Sequence, residues 1–334
     1  MNKKATVNNK ETALLGVALA VCLIILAILI ILIAQPPKSA PTSNTSTPQY
    51  VELPNVEGMN LAKAKALLDD LDISYEIIHV DSTSPNKVEK IEHSGTIENG
   101  KTLINCNETI KLYTNEVAKD KVVYLTFDDG PTRDNSHEIV FMLQDYGIKA
   151  SFFVEGQDVV RYPDRMEAIF NRGHVIACHS YSHEYTSIYS STQAFIGEIE
   201  QYEDALIEAI GEENFAQVQK IIRFPGGTNN AYLSKTEALA YIEAVRGLGY
   251  AVYDWTALTG DADPSLSDKS PKKLVSQLDS SLKSAKSQGL DLIILMHDNV
   301  YSKEALSEVL DYLIAEGYYF DTIDNCPEYT LVEN

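Results

Sequence analysis

The chain contains 334 residues, with 27 basic and 48 acidic side chains and a formal net charge of −21 at pH 7. This length exceeds that of one typical domain. Binding to nucleic acid requires a basic surface that faces the phosphates, so the acidic composition argues against DNA or RNA as a partner.

The first predicted element is a membrane span at residues 12–34, a stretch without a charged side chain. About 20 apolar residues suffice to cross a bilayer. Lys3, Lys4 and Lys10 lie in the preceding tail, residues 1–11. The positive-inside rule therefore predicts a cytoplasmic N-terminus, one pass through the cell membrane and an extracellular remainder. A cleaved signal peptide is the alternative, but its apolar core is normally about 7 to 15 residues long.

A linker is predicted at residues 35–50, where prolines stand among serines and threonines. Such a composition cannot bury enough apolar surface to form a core. We expect this segment to separate the membrane span from the first folded domain.

Residues 51–116 are predicted to form a small α+β domain. Asn60 can cap a helix, and apolar residues follow it at helical spacing. They are Leu61, Ala64, Leu68 and Leu71. Alternating apolar residues then predict strands. They are Ile73, Tyr75 and Ile77, and later Ile110 and Leu112.

The order helix, strand, strand, strand after residues 53–59 resembles that of a PASTA domain. In relatives this module binds or senses cell-wall peptidoglycan. The turn at residues 93–100 lacks the proline that is usual there. Ligand binding and a rigid spacer that lifts the next domain from the membrane are both open interpretations.

From residue 120 to residue 334, short β-rich runs alternate with segments of helical periodicity. The runs are residues 122–127, 150–154, 174–178, 220–224, 250–255, 291–296 and 318–323. Helical periodicity is clearest at residues 192–210 and 234–248. Strands that alternate with helices predict an α/β fold with a parallel sheet, and this many units favour a distorted (β/α) barrel of about seven parallel strands.

Ionisable side chains stand at or just after the ends of these predicted strands. They are Asp128, Asp129, His179, Arg223, Asp261 and His297. In barrels this rim is where catalytic groups gather. His183 follows His179 by four residues, so both imidazoles are predicted to lie on one face of a helical turn. With one carboxylate they would make a three-ligand metal site that leaves a position open for water.

Each of these residues also has a purely structural interpretation. The Asp-Asp-Gly-Pro sequence at residues 128–131 is typical of a turn. Arg223 suits a surface ion pair, and His297 suits a hydrogen-bonded cap on a buried strand. The catalytic interpretation is favoured because the structural ones require several coincidences in one chain order.

In their order along residues 121–323, these motifs resemble those of the NodB-homology polysaccharide deacetylases, which form carbohydrate esterase family four. The motifs read TFDDG at residues 126–130, HSYSH at 179–183 and RFPGG at 223–227, followed by Asp261 and His297. The resemblance implies a distorted (β/α) barrel that removes acetyl groups from N-acetylated sugars with a metal-activated water. It also implies a divalent metal, with zinc as the expected ion and cobalt or manganese as alternatives.

The resemblance assigns the metal to Asp129, His179 and His183, and the role of general base to Asp128. Arg223 would hold and orient Asp128. This agrees with the needs of amide hydrolysis, because bound zinc lowers the pKa of water from about 15.7 to about 7. A carboxylate that is not a metal ligand can then take the proton of that water.

The remaining roles concern the leaving group and the substrate. The resemblance makes His297 the general acid, with its pKa tuned by Asp261, and lets the backbone N–H of Gly226 contribute to an oxyanion hole. Leu295 is a candidate wall of a pocket for the acetyl methyl group. Trp255, the single tryptophan, is either part of the substrate groove or a core aromatic residue.

One motif departs from the family pattern. Many members carry Asp-x-x-Asp-Trp in the fourth motif, whereas residues 255–263 read WTALTGDAD. Asp261 is retained, but Ala262 stands where the tryptophan is usual. The tuning of the acid is therefore expected to persist, and the apolar wall of the groove is expected to differ.

The four cysteines do not suggest a disulfide framework. Cys22, Cys106, Cys178 and Cys326 are distributed over three predicted segments of the chain. Cys178 precedes His179, but alternation along a strand would point it to the opposite side. It is therefore predicted to be a core residue rather than a metal ligand.

These observations predict a membrane-anchored, extracellular, metal-dependent N-deacetylase of bacterial peptidoglycan. One alternative is a deacetylase of another N- or O-acetylated polysaccharide. A second alternative is a non-catalytic protein that binds or senses the cell wall. The presence of a base, an acid and three ligands together argues against the non-catalytic alternative.

Overall fold

The computed structural model describes residues 50–80 and 86–333, apart from the side chain of Ala62. The predicted tail, the membrane span and all of the linker except Tyr50 lie outside the described residues. Tyr50 itself was assigned to the linker but begins the first strand. Within the described residues, no helix combines the length and apolar character needed to cross a bilayer.

The small domain has one helix and six strands in its described part. They are β1 (Tyr50–Glu52), α1 (Leu61–Asp70), β2 (Ser74–His79), β3 (Val88–Glu92), β4 (Thr96–Glu98), β5 (Lys101–Asn105) and β6 (Thr109–Thr114). The strands form two three-stranded sheets, in the orders β1-β5-β4 and β2-β6-β3. The predicted series of one helix and three strands was too simple, because it missed β1 and the hairpin of β4 and β5.

Helix α1 forms as its sequence predicts. The side chain of Asn60 accepts a hydrogen bond from the backbone N–H of Lys63 at 3.4 Å, which is the geometry of an N-cap. Leu61, Ala64 and Leu68 are buried, and they form a core with the apolar residues of β2 and β6. Leu71 lies beyond the helix end and is 39% exposed, so it does not join this core.

The larger part of the chain alternates strands and helices. Its elements up to the sixth helix are a 3₁₀ turn (Lys119–Lys121), β7 (Val122–Gly130), α2 (Ser136–Asp145), β8 (Ser151–Val154), α3 (Gly156–Arg161), α4 (Pro163–Asn171), β9 (Val175–Cys178), α5 (Tyr185–Ile188) and α6 (Thr192–Ile210). The others are α7 (Glu212–Phe215), β10 (Ile221–Ile222), α8 (Lys235–Gly247), β11 (Ala251–Val252), β12 (Ala257–Leu258), α9 (Pro271–Ser287), β13 (Leu292–His297), α10 (Val300–Ala315), β14 (Tyr319–Asp321) and a 3₁₀ turn (Ile323–Asn325).

One parallel sheet runs through this part. Its strand order is β11-β10-β9-β8-β7-β13-β12, and β14 pairs with the first half of β7. The predicted α/β fold with a parallel sheet is confirmed. The sheet is a partial barrel, since β11 and β12 stand at its two ends and no pairing of described strands joins them.

The strand count differs from the prediction at residues 250–258. The sequence predicted one strand at residues 250–255, whereas the structure has the short β11 and β12 separated by four residues. These consecutive strands lie at opposite ends of the sheet. The chain must cross the open side of the partial barrel between them, and Trp255 lies on that crossing.

Strand β7 occupies the centre of the sheet and positions the candidate site. Eight of its nine residues are buried, because strands cover both of its edges and helices cover the sheet. Cys178 is fully buried in the same core, as predicted. In the pairing of β7 with β13, Leu292 lies opposite Val123 and His297 lies opposite Asp128. The C-terminal ends of the two central strands therefore meet at one edge.

Candidate active site

The two adjacent carboxylates leave β7 in different directions. Asp129 has a positive φ of 66°, and the pairing with β8 shifts register between Asp128 and Gly130. An irregularity of this kind redirects the side chains that follow it. Asp128 is 3% exposed, whereas the side chain of Asp129 is 38% exposed. One carboxylate is thus buried in the sheet edge while its neighbour points into the cleft.

The histidine pair lies on a loop, so the predicted helical turn is wrong. Strand β9 ends at Cys178 and the next helix begins at Tyr185. Between them, Ser180 and His183 adopt positive φ values of 71° and 56°. The chain folds back on itself, and the rings of His179 and His183 come to 5.2 Å from each other. A spacing of four residues brings two side chains together in a tight loop as well as in a helix.

Glu198 holds this loop in place and was missed by the sequence analysis. Its carboxylate accepts hydrogen bonds from the backbone N–H of Tyr181 at 3.0 Å and of Ser182 at 2.7 Å. It also accepts one from the Ser182 hydroxyl at 2.9 Å. Glu198 is 8% exposed and lies on the apolar face of α6 beside Phe195 and Ile199. A charged residue within an apolar helical stripe is the signal that could have identified it.

Three side chains converge on one point in front of this loop. The carboxylate of Asp129 lies 3.4 Å from Nε2 of His179 and 3.5 Å from Nε2 of His183. Ligand atoms of all three residues lie within 4.8 Å of one another. Two imidazoles and one carboxylate are a donor set that catalytic zinc sites use.

Hydrogen bonding fixes which nitrogen of His179 faces this point. Its Nδ1 lies 2.9 Å from the backbone oxygen of Arg223. Since a carbonyl oxygen only accepts, Nδ1 must carry the hydrogen, which leaves the Nε2 lone pair free for a ligand. The same arrangement orients metal-bound histidines in many metalloproteins.

The charge state of the three residues also suits a cation. Burial opposes ionisation of Asp129, but the hydrogen bond and charge of His179, with His297 and His183, outweigh it and hold the pKa of Asp129 far below its usual range. Burial, with the charge of His179, lowers the pKa of His183 and favours the neutral imidazole that metals require. Burial also opposes protonation of His179, yet Asp128 and Asp129 raise its pKa. Such a site attracts positive charge, and the donor set fits a divalent metal.

Asp128 is paired with a fully buried arginine. The Arg223 side chain is 0% exposed, so the surface ion pair considered above is wrong. Its Nη1 donates to Oδ1 of Asp128 at 2.6 Å and to the hydroxyl of Thr126 at 2.8 Å. Its other nitrogens donate to the backbone oxygens of Tyr253 and Asp254, each at 3.1 Å. The guanidinium is held on every side, and it fixes the Asp128 carboxylate in turn.

His297 forms the second carboxylate pair of the site. Its Nδ1 lies 3.2 and 3.3 Å from the two carboxylate oxygens of Asp261. Burial opposes protonation of His297, but the hydrogen bond and charge of Asp261, with Asp128 and Asp129, raise the pKa of His297 to about 9. The imidazole therefore carries a proton at neutral pH. Its Nε2 forms no hydrogen bond with the other described residues.

Asp261 is held by several donors of its own. Its carboxylate accepts hydrogen bonds from Thr259, Asn299 and Ser302 at 2.8 to 2.9 Å. It also accepts one from the backbone N–H of His297 at 2.9 Å. Burial opposes ionisation of Asp261, but His297, Thr259 and Ser302 outweigh it and lower the pKa of Asp261. The residue lies just after β12, the strand that the sequence analysis missed.

The residues expected to contact substrate lie around the same edge. Gly226 and Gly227 have positive φ values of 75° and 80° in the loop that follows Arg223. Leu295 is 6% exposed and precedes His297 by two residues on β13, so both point to the same side of the sheet. Trp255 is half-buried, and a Cβ at Gly227 would lie 3.0 Å from its ring. The ring of Trp255 thus packs against the glycine loop at Gly227.

Two further acidic residues at the edge were not predicted. Glu155 follows β8, and its backbone N–H donates to the oxygen of Gly130 at 2.7 Å. Burial raises the pKa of Glu155 to about 7, with a hydrogen bond from Gln157 opposing and the charge of Asp129 assisting the rise. A position directly after a buried strand, the feature that singled out Asp128, was the available signal.

Asp298 connects the two central strands beyond their ends. Its backbone N–H donates to the oxygen of Asp128 at 2.8 Å. Its carboxylate accepts hydrogen bonds from the Thr132 hydroxyl at 2.8 Å and from the hydroxyl of Ser136. The loop after Asp129 is thereby tied to the end of β13. Adjacency to His297 was the only trace of this residue in the sequence.

A family model described as polysaccharide deacetylase matches residues 115–245 of the chain. The matched segment contains the two carboxylates of β7, the histidine pair and Arg223. Asp261 and His297 lie beyond it.

Known proteins resemble the chain over a longer segment. A peptidoglycan-N-acetylglucosamine deacetylase of Bacillus cereus is 28% identical over 242 residues, which cover 72% of this chain and 82% of that protein. A peptidoglycan-N-acetylmuramic acid deacetylase of Bacillus subtilis is 26% identical over 208 residues, which cover 62% and 72%. The crystal structure of the catalytic domain of a peptidoglycan N-acetylglucosamine deacetylase from Eubacterium rectale matches with a TM-score of 0.54 and 30% identity, covering 63% of this chain and 92% of that one.

Proposed function

Because the chain belongs to the polysaccharide deacetylase family, we propose that it hydrolyses the N-acetyl groups of amino sugars in bacterial peptidoglycan and releases acetate. The chain is an enzyme, a deacetylase of the hydrolase class. Beyond this enzyme class, we propose a substrate, a metal and a role for each site residue. It rests on one observation above all, the convergence of a three-ligand cluster, an arginine-bound aspartate and an aspartate-bound histidine at one edge of the sheet.

Asp129, His179 and His183 hold the metal in this proposal, with zinc as the expected ion and cobalt or manganese as alternatives. A bound divalent metal of this kind supplies Lewis acidity toward the acetyl oxygen and lowers the pKa of water. The loop geometry supports the assignment, since Arg223 and Glu198 fix the two histidine positions through hydrogen bonds.

Asp128 is the proposed general base. Arg223 occupies its Oδ1 at 2.6 Å, whereas its Oδ2 lies 3.8 Å from Nε2 of His179 and faces the ligand cluster. The free oxygen can therefore accept a proton from a water that attacks the acetyl carbon. Proton transfer of this type contributes about 10² to 10⁴ in rate. Arg223 holds the carboxylate in one orientation.

His297 is the proposed general acid. Attack on the amide gives a tetrahedral intermediate, and its C–N bond breaks only if the nitrogen receives a proton. Asp261 holds Nδ1 of His297, so the proton travels from Nε2 to the departing nitrogen. The products are acetate and a free amine on the sugar. At this stage Asp128 carries one additional proton and His297 lacks one. Transfer of a proton from Asp128 to His297 through solvent restores both residues.

The glycine loop after Arg223 supplies the remaining charge stabilisation. A backbone N–H aimed at a developing oxyanion is typically worth about 10² to 10³ in rate. Gly226 takes this role in the proposal, since it is exposed in the loop that follows Arg223. Leu295 lies on the His297 side of β13 and forms the apolar contact for the acetyl methyl group.

Peptidoglycan is the proposed substrate because the proteins described above are named for peptidoglycan amino sugars. The decisive experiment is mass spectrometry of muropeptides after incubation with the purified enzyme. Loss of one acetyl group with appearance of a free amine supports the proposal, and fragmentation assigns the amine to N-acetylglucosamine or N-acetylmuramic acid. Unchanged muropeptides together with deacetylation of another N- or O-acetylated polysaccharide would instead establish the alternative substrate.

We further propose that the enzyme acts outside the cell on a membrane anchor. The support is the uncharged stretch at residues 12–34 and the lysines before it. The small domain at residues 51–116 is assigned, from its PASTA-like sequence, to cell-wall binding or to spacing the enzyme from the membrane. Protease added to intact spheroplasts should remove the chain after residue 35. Protection of the bulk of the chain would contradict this orientation.

A further inference from the structure

Three tyrosines, Tyr185, Tyr189 and Tyr232, form an aromatic wall beside the candidate metal centre. The ring of Tyr185 lies 5.1 Å from the ring of His183, with the planes at 88°. The ring of Tyr232 lies 4.9 Å from that of Tyr185, with an angle of 31°. Tyr232 is 52% exposed. The wall thus leads from a proposed metal ligand to the protein surface.

Tyr189 anchors the wall to the protein. Its hydroxyl donates to the backbone oxygen of Pro225 at 2.7 Å, in the loop that carries Gly226. Its ring stacks at 6.2 Å on Tyr232 and at 5.8 Å on the buried Phe195. Through Tyr189, the exposed ring of Tyr232 packs against the aromatic part of the core.

Tyr185 lies close both to the candidate metal ligand His183 and to the glycine loop. A Cβ placed on Gly226 would lie 3.0 Å from Cε1 and 3.2 Å from the hydroxyl of Tyr185. The same ring packs against His183. None of the hydrogen bonds formed between described residues uses the Tyr185 hydroxyl, so it is available to a ligand that enters the cleft.

Tyr232 is held in place before any ligand arrives. Its backbone N–H donates to the side chain of Asn230 at 2.9 Å, and that side chain donates to the backbone oxygen of Gly227 at 2.7 Å. A residue that is already ordered loses less conformational entropy when a ligand binds. The hydrogen bonding also ties the position of Tyr232 to the glycine loop.

We propose that Tyr232 and Tyr185 bind a sugar ring of the glycan that neighbours the sugar undergoing deacetylation. This inference rests on the proposed function. A pyranose presents C–H groups on one face, and the electron-rich face of an aromatic ring attracts such positively polarised groups while burying apolar area. The ring centroids of His183 and Tyr185 lie 5.1 Å apart, and those of Tyr185 and Tyr232 lie 4.9 Å apart. The distance from His183 to Tyr232 is therefore no greater than the length of a disaccharide.

Exposure alone does not make an aromatic residue part of this site. Phe141 on α2 is 47% exposed, close to the exposure of Tyr232. Its ring contacts are His137 and Arg172, and neither belongs to the candidate active site. Phe141→Ala is therefore a matched control for loss of an exposed aromatic ring.

The test compares the full-length enzyme, solubilised in mild detergent, with Tyr232→Ala, Tyr232→Phe and Phe141→Ala. The substrates are an N-acetylglucosamine tetramer and 4-nitrophenyl acetate, an ester without a sugar. We expect Tyr232→Ala to raise the KM for the tetramer about tenfold with little change in kcat, a loss that matches one aromatic contact. Hydrolysis of the ester should be unchanged. Tyr232→Phe and Phe141→Ala should resemble the wild type.

An unchanged tetramer KM in Tyr232→Ala would overturn the inference, and so would an equal loss on both substrates, which indicates a structural role. If the wild-type enzyme hydrolyses neither substrate and also leaves muropeptides unchanged, the proposed function fails separately. Calorimetric titration of the tetramer then decides the inference. Weaker binding to Tyr232→Ala than to wild type supports the sugar site, and equal or absent binding to both contradicts it.

Discussion

Asp128 and His297 lie opposite each other in the parallel pairing of β7 and β13. They lie near the C-terminal ends of the two central strands, and each is bound to a buried partner of opposite charge, Arg223 for Asp128 and Asp261 for His297. The proposed base and acid therefore reach the cleft from neighbouring backbone positions. Their separation is set by the pairing of two strands rather than by a loop.

The Arg223–Asp128 pair predicts a large loss of stability when only one partner is removed. Arg223→Met leaves a buried carboxylate without its cation, and a change of this type costs about 3 to 5 kcal/mol. Urea unfolding measures the loss, and activity should fall with it. The control is Arg133→Met, whose side chain is 74% exposed and should change stability by less than about 0.5 kcal/mol. Equal stability of the two variants would contradict the buried pair.

The Asp261–His297 pair predicts the alkaline limb of the pH profile. Because His297 must be protonated to act as an acid and its pKa is raised to about 9, kcat/KM should hold at neutral pH and fall as the pH rises. A bound cation opposes protonation, so the limb lies at or below this value. Asp261→Asn removes the raising charge and should move the limb to lower pH.

Asp263→Asn is the matched control for this shift. Asp263 is half-buried, and its carboxylate accepts hydrogen bonds from the neighbouring Ser265, so its variant should keep the wild-type profile. An alkaline limb that is the same in Asp261→Asn and wild type would exclude His297 as the titrating acid.

Replacement of Glu198 should weaken metal binding although no metal ligand is removed. Glu198→Ala frees the backbone at Tyr181 and Ser182, so the loop that carries His183 loses its fixed geometry. Removal of a residue that orients metal ligands typically weakens affinity about 10- to 100-fold. Zinc titration calorimetry measures this change. Glu200→Ala, an exposed change on the same helix, should bind zinc like the wild type, and equal affinities in the two variants would contradict the role.

His174 predicts sensitivity of the fold to acid. Burial, with the charges of Lys149 and Arg172, lowers the pKa of His174 to about 4. The unfolded chain binds a proton there below about pH 6.5, whereas the folded chain does so only near pH 4. Stability should therefore decrease as the pH falls across this interval, by up to about 3 kcal/mol.

His174→Asn tests that prediction because it retains an acceptor for the backbone N–H of Ala150 but cannot titrate. Denaturant unfolding between pH 7 and pH 4 should show a smaller decrease of stability than in wild type. The control is His137→Asn, a half-buried histidine whose variant should retain the wild-type decrease. The same slope in all three proteins would contradict the assignment to His174.

The sequence predicted the parallel sheet and the position of most of its strands, although β7 continues to Gly130 instead of ending at residue 127. Apolar runs followed by Asp128, Arg223 and His297 mark strands that are buried on both faces and then reach the cleft. Such patterns are local, so they can be recognised without knowledge of the tertiary contacts. Strand β12 was missed because its two residues, Ala257 and Leu258, are too few to show a periodicity.

The parts that could not be predicted depend on contacts between distant residues. The spacing of His179 and His183 is the same in a helix and in a folded loop, and the loop geometry depends on contacts with residues such as Glu198 and Arg223 that lie further along the chain. Asp298 likewise gains its role from Thr132 and Ser136. A single sequence shows these polar residues but not their partners.

The central claim is that adjacent carboxylates have separate roles, Asp128 as base and Asp129 as metal ligand. The most direct test measures bound metal by elemental analysis and deacetylation rate in Asp128→Asn and Asp129→Asn. We expect Asp128→Asn to retain about one metal per chain while its rate falls by about 10² to 10⁴. Asp129→Asn should lose metal, and excess metal should partly restore its activity. Metal loss in Asp128→Asn with retention in Asp129→Asn would contradict the assignment, as would full activity in either variant.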